Sequence, residues 1–220
     1  MRRGAVIALV AVLVLVVLAV VGDRAAVAVA QGKVSEQVAA ELPGARDVTT
    51  TIEGFPALTQ VLRGSLDHVV VTAADVPTEQ GTLDSVVVDL YDVTTSSPRT
   101  AGTVEATALV PLSMLQSQLG DSWELTVEGD ALTAEFTGAV SASATVVPTV
   151  VDGRITLDLR SFSLLGLEVS GDNVPDFVTN ALNDLVGSLG ELPFGLTPTG
   201  VTVTPQGAEV TASGSDVVLE

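Results

Sequence analysis

Two stretches of sequence decide the fold class: LDHVVVTA at residues 66–73 and LDSVVVDLYDV at residues 83–93. Both are rich in β-branched residues, which favour strands. In the second stretch apolar side chains point to both faces of a strand: Leu83, Val87 and Tyr91 to one, and Val86, Val88 and Leu90 to the other. Strands that are apolar on both faces predict a sheet with something packed on each side.

Shorter strand-like segments lie on either side of this pair along the chain. They alternate apolar and polar residues or are bounded by turn residues, as strands of hairpins are. The predicted strands are Val48–Glu53, Thr103–Val110, Trp123–Val127, Leu132–Phe136, Ser141–Val151, Arg154–Leu159, Val201–Thr204 and Glu209–Ala212. The order shows no alternation of strands with crossover helices and no fixed repeat, so it predicts an antiparallel sheet.

Helical spacing of apolar residues predicts four helices. The first ends at Leu42, because Pro43 disfavours helix in the residue before it. Two short helices are predicted, one around Leu58–Leu62 and one over Leu112–Leu119, each closed by a glycine. The longest apolar stripe, Phe177–Leu189, belongs to a helix that starts at Pro175. The pattern predicts an α+β fold with an antiparallel sheet curled around helices, and it leaves open whether the sheet closes on a solid core or on a cavity.

The N-terminus carries the information on location. Arg2 and Arg3 precede an uninterrupted apolar run, Ala5–Val21, whose length is near the lower limit for a transmembrane helix. Basic residues before the run and acidic ones after it place the following chain outside the cytoplasm. We therefore expect residues 1–22 to be an uncleaved membrane anchor and residues 23–220 an extracytoplasmic domain. The alternative is a signal peptide cleaved after Ala30.

Composition excludes several function classes. The chain has 9 basic and 27 acidic residues, a net charge of −18, which argues against nucleic-acid binding. There is no cysteine, which excludes disulfides, zinc–thiolate sites and cysteine nucleophiles. The chain has one Trp, one Tyr and five Phe, too few for the stacked platforms that hold sugars or bases, whereas a Val- and Leu-lined space suits acyl chains.

The most distinctive motif of the chain is Gly54-Phe55-Pro56-Ala57-Leu58-Thr59-Gln60-Val61-Leu62-Arg63-Gly64, followed by Leu66-Asp67 and Val69–Val71. It resembles the core signature of the LmeA-like phospholipid-binding family of actinobacterial cell-envelope proteins. The resemblance extends to the apolar N-terminus that leads into Asp23-Arg24. It also extends to Glu191–Leu196, Gly200–Val203 and Gly207–Val210 near the C-terminus.

The resemblance implies a fold and a function. The fold would be that of the tubular lipid-binding superfamily, in which a curved sheet wraps a long helix around an apolar cavity. The function would be binding of phospholipids, including inositol-containing ones, outside the cytoplasmic membrane, in support of lipoglycan maturation. The phospholipid and the membrane would be the partners, and no cofactor is implied.

The same motif supplies the candidate site. We expect Phe55, Pro56, Leu58 and Leu62 to meet acyl chains at the cavity opening, and Arg63 to meet a lipid phosphate. Each has a structural alternative: Phe55-Pro56 as a rigid turn, and Arg63 as a cation paired with the helix dipole or with Asp67. His68, the only histidine, is interpreted as a structural residue rather than a base.

No catalytic residue or metal site is predicted. The sequence contains no G-x-S-x-G, H-E-x-x-H, phosphate-binding loop or EF-hand spacing. The acidic pair Asp89 and Asp92 is expected to lie on opposite strand faces. Two alternatives to lipid binding remain open at this stage: a structural envelope domain with a solid core, and a two-carboxylate glycosidase.

Overall fold

The computed structural model describes residues 2–138, 141–169 and 192–219 together with residues 178, 180, 182 and 186, and for residues 2–16 and 18 it describes the backbone alone. Its helices are α1 (Arg2–Glu41), α2 (Ala57–Arg63) and α3 (Leu112–Leu119), with a short 3-10 helix at Pro193–Gly195. Its strands are β1 (Arg46–Glu53), β2 (Ser65–Thr78), β3 (Gly81–Thr94), β4 (Thr100–Pro111), β5 (Trp123–Glu128), β6 (Ala131–Phe136), β7 (Ala142–Val151), β8 (Arg154–Leu164), β9 (Leu167–Glu168), β10 (Thr197–Thr204) and β11 (Gly207–Val218). The α+β class and the predicted strands are confirmed.

The strands form two antiparallel sheets. The larger sheet has six strands in the order β1-β2-β3-β4-β11-β10, and the smaller has five in the order β5-β6-β7-β8-β9. Strand β10 lies against β7 and β8, so the two sheets adjoin there. The sequence predicted one curled sheet, and the structure divides it in two because α3 follows β4 directly and redirects the chain into β5.

The six-stranded sheet has two chemically different faces. Residues paired directly across antiparallel strands share a face, and the register places the apolar ones together. The inner face is formed by Ile52, Val69, Val71, Ala73, Val86, Val88, Leu90, Val104, Ala106, Ala108, Val210 and Ala212. The outer face carries Glu53, His68, Val70, Val87, Asp89, Tyr91, Thr103 and Glu105. The sheet therefore presents an apolar side inward and a largely polar side outward.

Two buried clusters cover opposite ends of the inner face. At one end Val27 of α1 and Ala57 of α2 pack with Ile52, Val69 and other apolar residues of the sheet. At the other end Leu115 and Leu119 of α3 pack with residues of both sheets, including Val146 and Val210. Helix α3 thus joins the two sheets through a common core.

The predicted helix from Pro175 lies almost wholly outside the described residues. Four of its residues are described, namely Val178, Asn180, Leu182 and Val186, and they are helical. Val178 is fully buried in a third cluster with Ala142, Ala144 and Phe162.

Helix α1 is continuous from Arg2 to Glu41 and ends one residue before the predicted end at Leu42. Among the residues that the structure describes, no helix is long and apolar enough to cross a membrane. The membrane anchor predicted for residues 1–22 stays a prediction.

Candidate functional site

The five candidate site residues lie together on one exposed segment. Helix α2 begins after Pro56 and ends at Gly64, whose φ of 84° is left-handed and whose N–H bonds to the carbonyls of Gln60 and Val61. Phe55, Pro56, Leu58, Leu62 and Arg63 are all exposed to solvent.

The apolar side chains of this segment form a ridge on the surface. We call Phe55, Leu58, Val61 and Leu62 the α2 ridge; their exposed fractions are 54%, 45%, 52% and 86%. Leu58, Val61 and Leu62 share one side of the helix by their spacing. Helix α2 therefore turns its apolar side towards solvent, the reverse of an ordinary surface helix.

A buried glutamine attaches α2 to the sheet. Gln60 is 1% exposed. Its side-chain carbonyl accepts the N–H of Asp67 at 2.9 Å, and its amide donates to the carbonyl of Glu53 at 3.3 Å. A Cβ at residue 54 would collide with the Gln60 amide, so this close approach requires Gly54, which also has a φ of 91°.

A buried aspartate attaches α2 to α1. Asp23 is 2% exposed, and its Oδ1 accepts the N–H of Leu58, in the first turn of α2, at 2.8 Å. The neighbouring Arg24 places its guanidinium 5.6 Å from the centre of the Phe55 ring, a cation–π contact. The sequence alone assigns no site role to Asp23 or Arg24, because nothing in it shows that α1 meets α2.

Two arginines flank the ridge. Arg24 lies over Phe55 on one side, and Arg63 ends α2 on the other. Arg63 contacts Asp67 at 3.4 Å, with both side chains more than half exposed, so this pair contributes little to stability. The structural alternative for Arg63 is thus present as a weak contact that leaves the guanidinium accessible.

Other arginines are engaged elsewhere on the surface. Arg160 binds Asp130 through two hydrogen bonds of 2.8 and 2.7 Å, and the bonds from Arg160 lower the pKa of Asp130. Arg46 lies 2.8 Å from Asp75. Such direct pairing reduces their availability to an added anion.

The inner face of the sheet remains only partly covered in its middle. Val71, Val88, Leu90, Ala106 and Ala108 are half-buried, and the first three pack against the cluster at the α2 end. The register aligns Val71, Val88 and Ala106 in one row across three strands. An apolar strip therefore lies between the α2 end and the α3 end of the sheet.

The outer face holds a histidine between two carboxylates. His68 Nδ1 lies 3.0 Å from Glu53 Oε2, and its Nε2 lies 2.8 Å from Asp89 Oδ1. The ring stacks on Tyr91, with centroids 4.5 Å apart. Burial lowers the pKa of His68, but the hydrogen bonds to Asp89 and Glu53 and their charges outweigh it and leave the pKa raised. These contacts support the structural interpretation of His68.

An open groove of about 500 Å³ also lies on the outer face, lined by Thr103, Glu105, Gly195, Thr197, Ser213, Gly214 and Ser215. Its lining is polar, so it is not the apolar cavity that the resemblance implies, and that cavity stays a prediction. Within the described part of the chain, no group of three His, Asp or Glu residues is placed to hold a metal ion.

Comparison with known proteins gives one match. The chain matches the LmeA-like phospholipid-binding family over residues 21–213. No curated protein and no solved structure matches it. Because the match spans most of the sequence, the chain belongs to this family.

Proposed function

We propose that this member of the LmeA-like phospholipid-binding family holds a phospholipid outside the cytoplasmic membrane, with acyl chains along the inner face and the headgroup near α2. The family match supports lipid binding as such. The observation that carries the placement is the half-buried apolar strip in the middle of the inner face.

The side chains of this strip suit an acyl chain. Valine and leucine line it on β2 and β3, while alanines Ala106, Ala108 and Ala212 line it on β4 and β11. The small alanine side chains leave the inner face recessed over β4 and β11. Burying one chain of about 16 carbons contributes on the order of 10 kcal/mol, at ~0.8 kcal/mol per methylene.

The headgroup is assigned to the α2 end of the strip. Phe55, Pro56, Leu58 and Leu62 would form the opening, and Arg63 would bind a phosphate of an anionic, inositol-type lipid. The accessible guanidinium of Arg63 supports this, because its fork of N–H donors matches phosphate oxygens. A local cation of this kind offsets the acidic surface of the chain.

The proposal also covers the cellular location of the protein and its role towards the bound lipid. Arg2 and Arg3 before the apolar run Ala5–Val21 support export across the cytoplasmic membrane. The protein would carry or present lipid without chemical change, in support of lipoglycan maturation. N-terminal sequencing and fractionation of the native protein test the location.

The test of lipid binding is mass spectrometry of lipids that co-purify with the protein, compared between two variants of one strand. Ala106→Phe adds a ring to the inner face and is expected to reduce bound phospholipid at least tenfold, a loss of about 1.4 kcal/mol or more. Thr107→Phe adds the same ring on the outer face of β4 and is expected to leave bound lipid unchanged.

Two results would contradict the proposal. One is purified parent protein without phospholipid, which indicates a structural domain with a solid core. The other is an equal loss in both variants, which places the lipid elsewhere than the inner face. In a solid core, Ala106→Phe also destabilises the protein by roughly 1–3 kcal/mol through overpacking.

A further inference from the structure

The α2 ridge exposes more apolar surface than folding requires. Its four side chains are each close to half exposed or more, and Leu62 reaches 86%. Helix α2 does not need them for attachment, since Ala57, Gln60 and the Asp23 contact hold it in place. Exposed apolar side chains grouped on one element mark a surface that meets an apolar partner.

The exposed apolar surface continues from α2 onto α1. Val17, Val20 and Val21 are 53%, 36% and 60% exposed. Val20 lies one helical turn before Asp23, the residue that binds the first turn of α2. The ridge and this turn of α1 are therefore neighbours, and the turn is the last one of the apolar run Ala5–Val21.

Two of the chain's few basic residues lie at this place. The chain carries 27 acidic and only 9 basic residues, yet Arg24 and Arg63 flank the ridge. Of the carboxylates near the ridge, Asp23 is buried beneath α2, Asp67 is paired with Arg63, and Glu53 is bonded to His68. Apolar side chains bordered by arginine are typical of helices that lie in a membrane interface.

We propose that the α2 ridge docks on the surface of an anionic phospholipid bilayer. Phe55, Leu58, Val61 and Leu62 enter the interface between headgroups and acyl chains, while Arg24 and Arg63 meet lipid phosphates. The inference deepens the proposed function, on which it rests, because the docked bilayer is the source or acceptor of the lipid held on the inner face.

A second copy of the chain is a poorer occupant. A stable protein interface buries about 800 Å² on each partner, and a ridge of four side chains on a helix of seven residues is smaller than that. Pairing two copies also brings together two chains of net charge −18. A bilayer requires no minimum interface area, because individual side chains can insert into it. Its phosphates also attract the arginines, so there is no like-charge repulsion at the ridge.

The absence of cysteine makes a site-specific test possible in the full chain. A single Leu62→Cys substitution carries an environment-sensitive fluorophore, and Val151→Cys, at the end of β7 in the other sheet and 53% exposed, is the matched control. Each labelled protein is mixed with vesicles of phosphatidylcholine and phosphatidylglycerol that contain lipids with a nitroxide near the headgroup. Insertion of residues 5–21 would also bring position 62 near the headgroups, because α2 is bonded to α1 at Asp23. Docking of α2 itself is therefore measured by the loss of quenching on charge reversal at Arg24 and Arg63.

We expect the label at position 62 to shift to shorter emission wavelength and to be quenched, and the label at position 151 to do neither. Charge reversal at Arg24 and Arg63 is expected to weaken docking on the anionic vesicles by about fivefold per basic residue removed, with further weakening from the added carboxylates. A label at position 62 that stays in water while the protein sediments with vesicles overturns the inference. A shift that appears without vesicles and grows with protein concentration also overturns it, in favour of a second copy.

Different results refute the docking of the α2 ridge and the binding of lipid on the inner face. Ala106→Phe, which fills the strip on the inner face, is expected to leave quenching at position 62 intact. Bound phospholipid in the parent protein with an unquenched label at position 62 refutes docking alone. Quenching at position 62 without co-purifying phospholipid refutes the proposed function alone, and leaves a bilayer-docking protein with no lipid site on the inner face.

Discussion

Helices α2 and α3 resemble each other in sequence but pack in opposite ways. Each follows a proline, Pro56 or Pro111, and each is followed by a glycine. Each also uses a glutamine to hold the next strand. Gln60 accepts the N–H of Asp67 in β2, and in α3 Gln116 accepts the N–H of Leu125 in β5 and donates to the carbonyl of Trp123.

The difference lies in the apolar side chains. Helix α3 buries Met114, Leu115 and Leu119 in the core that joins the two sheets. Helix α2 buries only Ala57 and Gln60, and it presents the α2 ridge to solvent. Leucines that stabilise the fold in one helix are thus free in the other, which is why the ridge is assigned to lipid rather than to the core.

The largest expected effect is on the free energy of unfolding. Leu115 is 1% exposed, so Leu115→Ala removes a fully packed side chain and is expected to cost about 3 kcal/mol. The matched change in α2, Leu62→Ala, is expected to cost less than about 0.5 kcal/mol because Leu62 is mostly in water. Urea unfolding followed by the fluorescence of Trp123, the only tryptophan, measures both. Equal costs would show that the α2 ridge is part of the core.

The next largest effect on the free energy of unfolding comes from the glutamine with which each helix holds the following strand. Gln60→Leu leaves the N–H of Asp67 and the carbonyl of Glu53 without their partner, and we expect a loss of about 2 kcal/mol. Gln116→Leu removes the equivalent contacts of α3 and is expected to cost a similar amount. The same unfolding assay compares them. A near-zero cost for Gln60→Leu would mean that α2 is held by its other contacts and that the likeness to α3 is superficial.

The local parts of the fold could be predicted from sequence. Alternation and turn residues identified hairpins such as β7 and β8, and Gly64 and Gly120 marked the ends of the short helices. The division into two sheets and the pairing of β4 with β11 could not be predicted, because they depend on contacts between distant parts of the chain.

The role of the candidate site residues stays a prediction, and the direction that their side chains face could not be predicted from the sequence. Phe55, Leu58 and Leu62 were recognised from the motif, and the structure groups them on one segment. Helical spacing shows which residues share a side, but an apolar side is ordinarily expected to face inward. Here the buried side is Ala57 and Gln60, and Gln60 is buried because two backbone groups satisfy its amide.

The smallest expected effect depends on pH and acts on the strands that precede and follow α2. His68, in the strand after α2, contacts Glu53, the last residue of the strand before it, and Asp89 in β3. To donate to both carboxylates the ring must carry both protons, which agrees with its raised pKa. The pKa is higher in the folded state than in the unfolded one. The stabilisation is therefore complete below the unfolded value of 6.5 and is lost as the pH rises through the folded pKa.

His68→Gln is expected to destabilise the protein by on the order of 1 kcal/mol at pH 6 and by less at pH 8.5, because the neutral imidazole donates only one proton. Urea midpoints across this range measure the difference. His68 is the only histidine, and carboxylates titrate at lower pH. Any difference between parent and variant in how the urea midpoint changes with pH should therefore come from this residue alone. Asp130→Asn, which breaks the exposed pair with Arg160, is the control and should leave the slope between pH 6 and 8.5 unchanged. An identical pH dependence of the urea midpoint in the parent and His68→Gln would show that the histidine stays neutral in the folded protein.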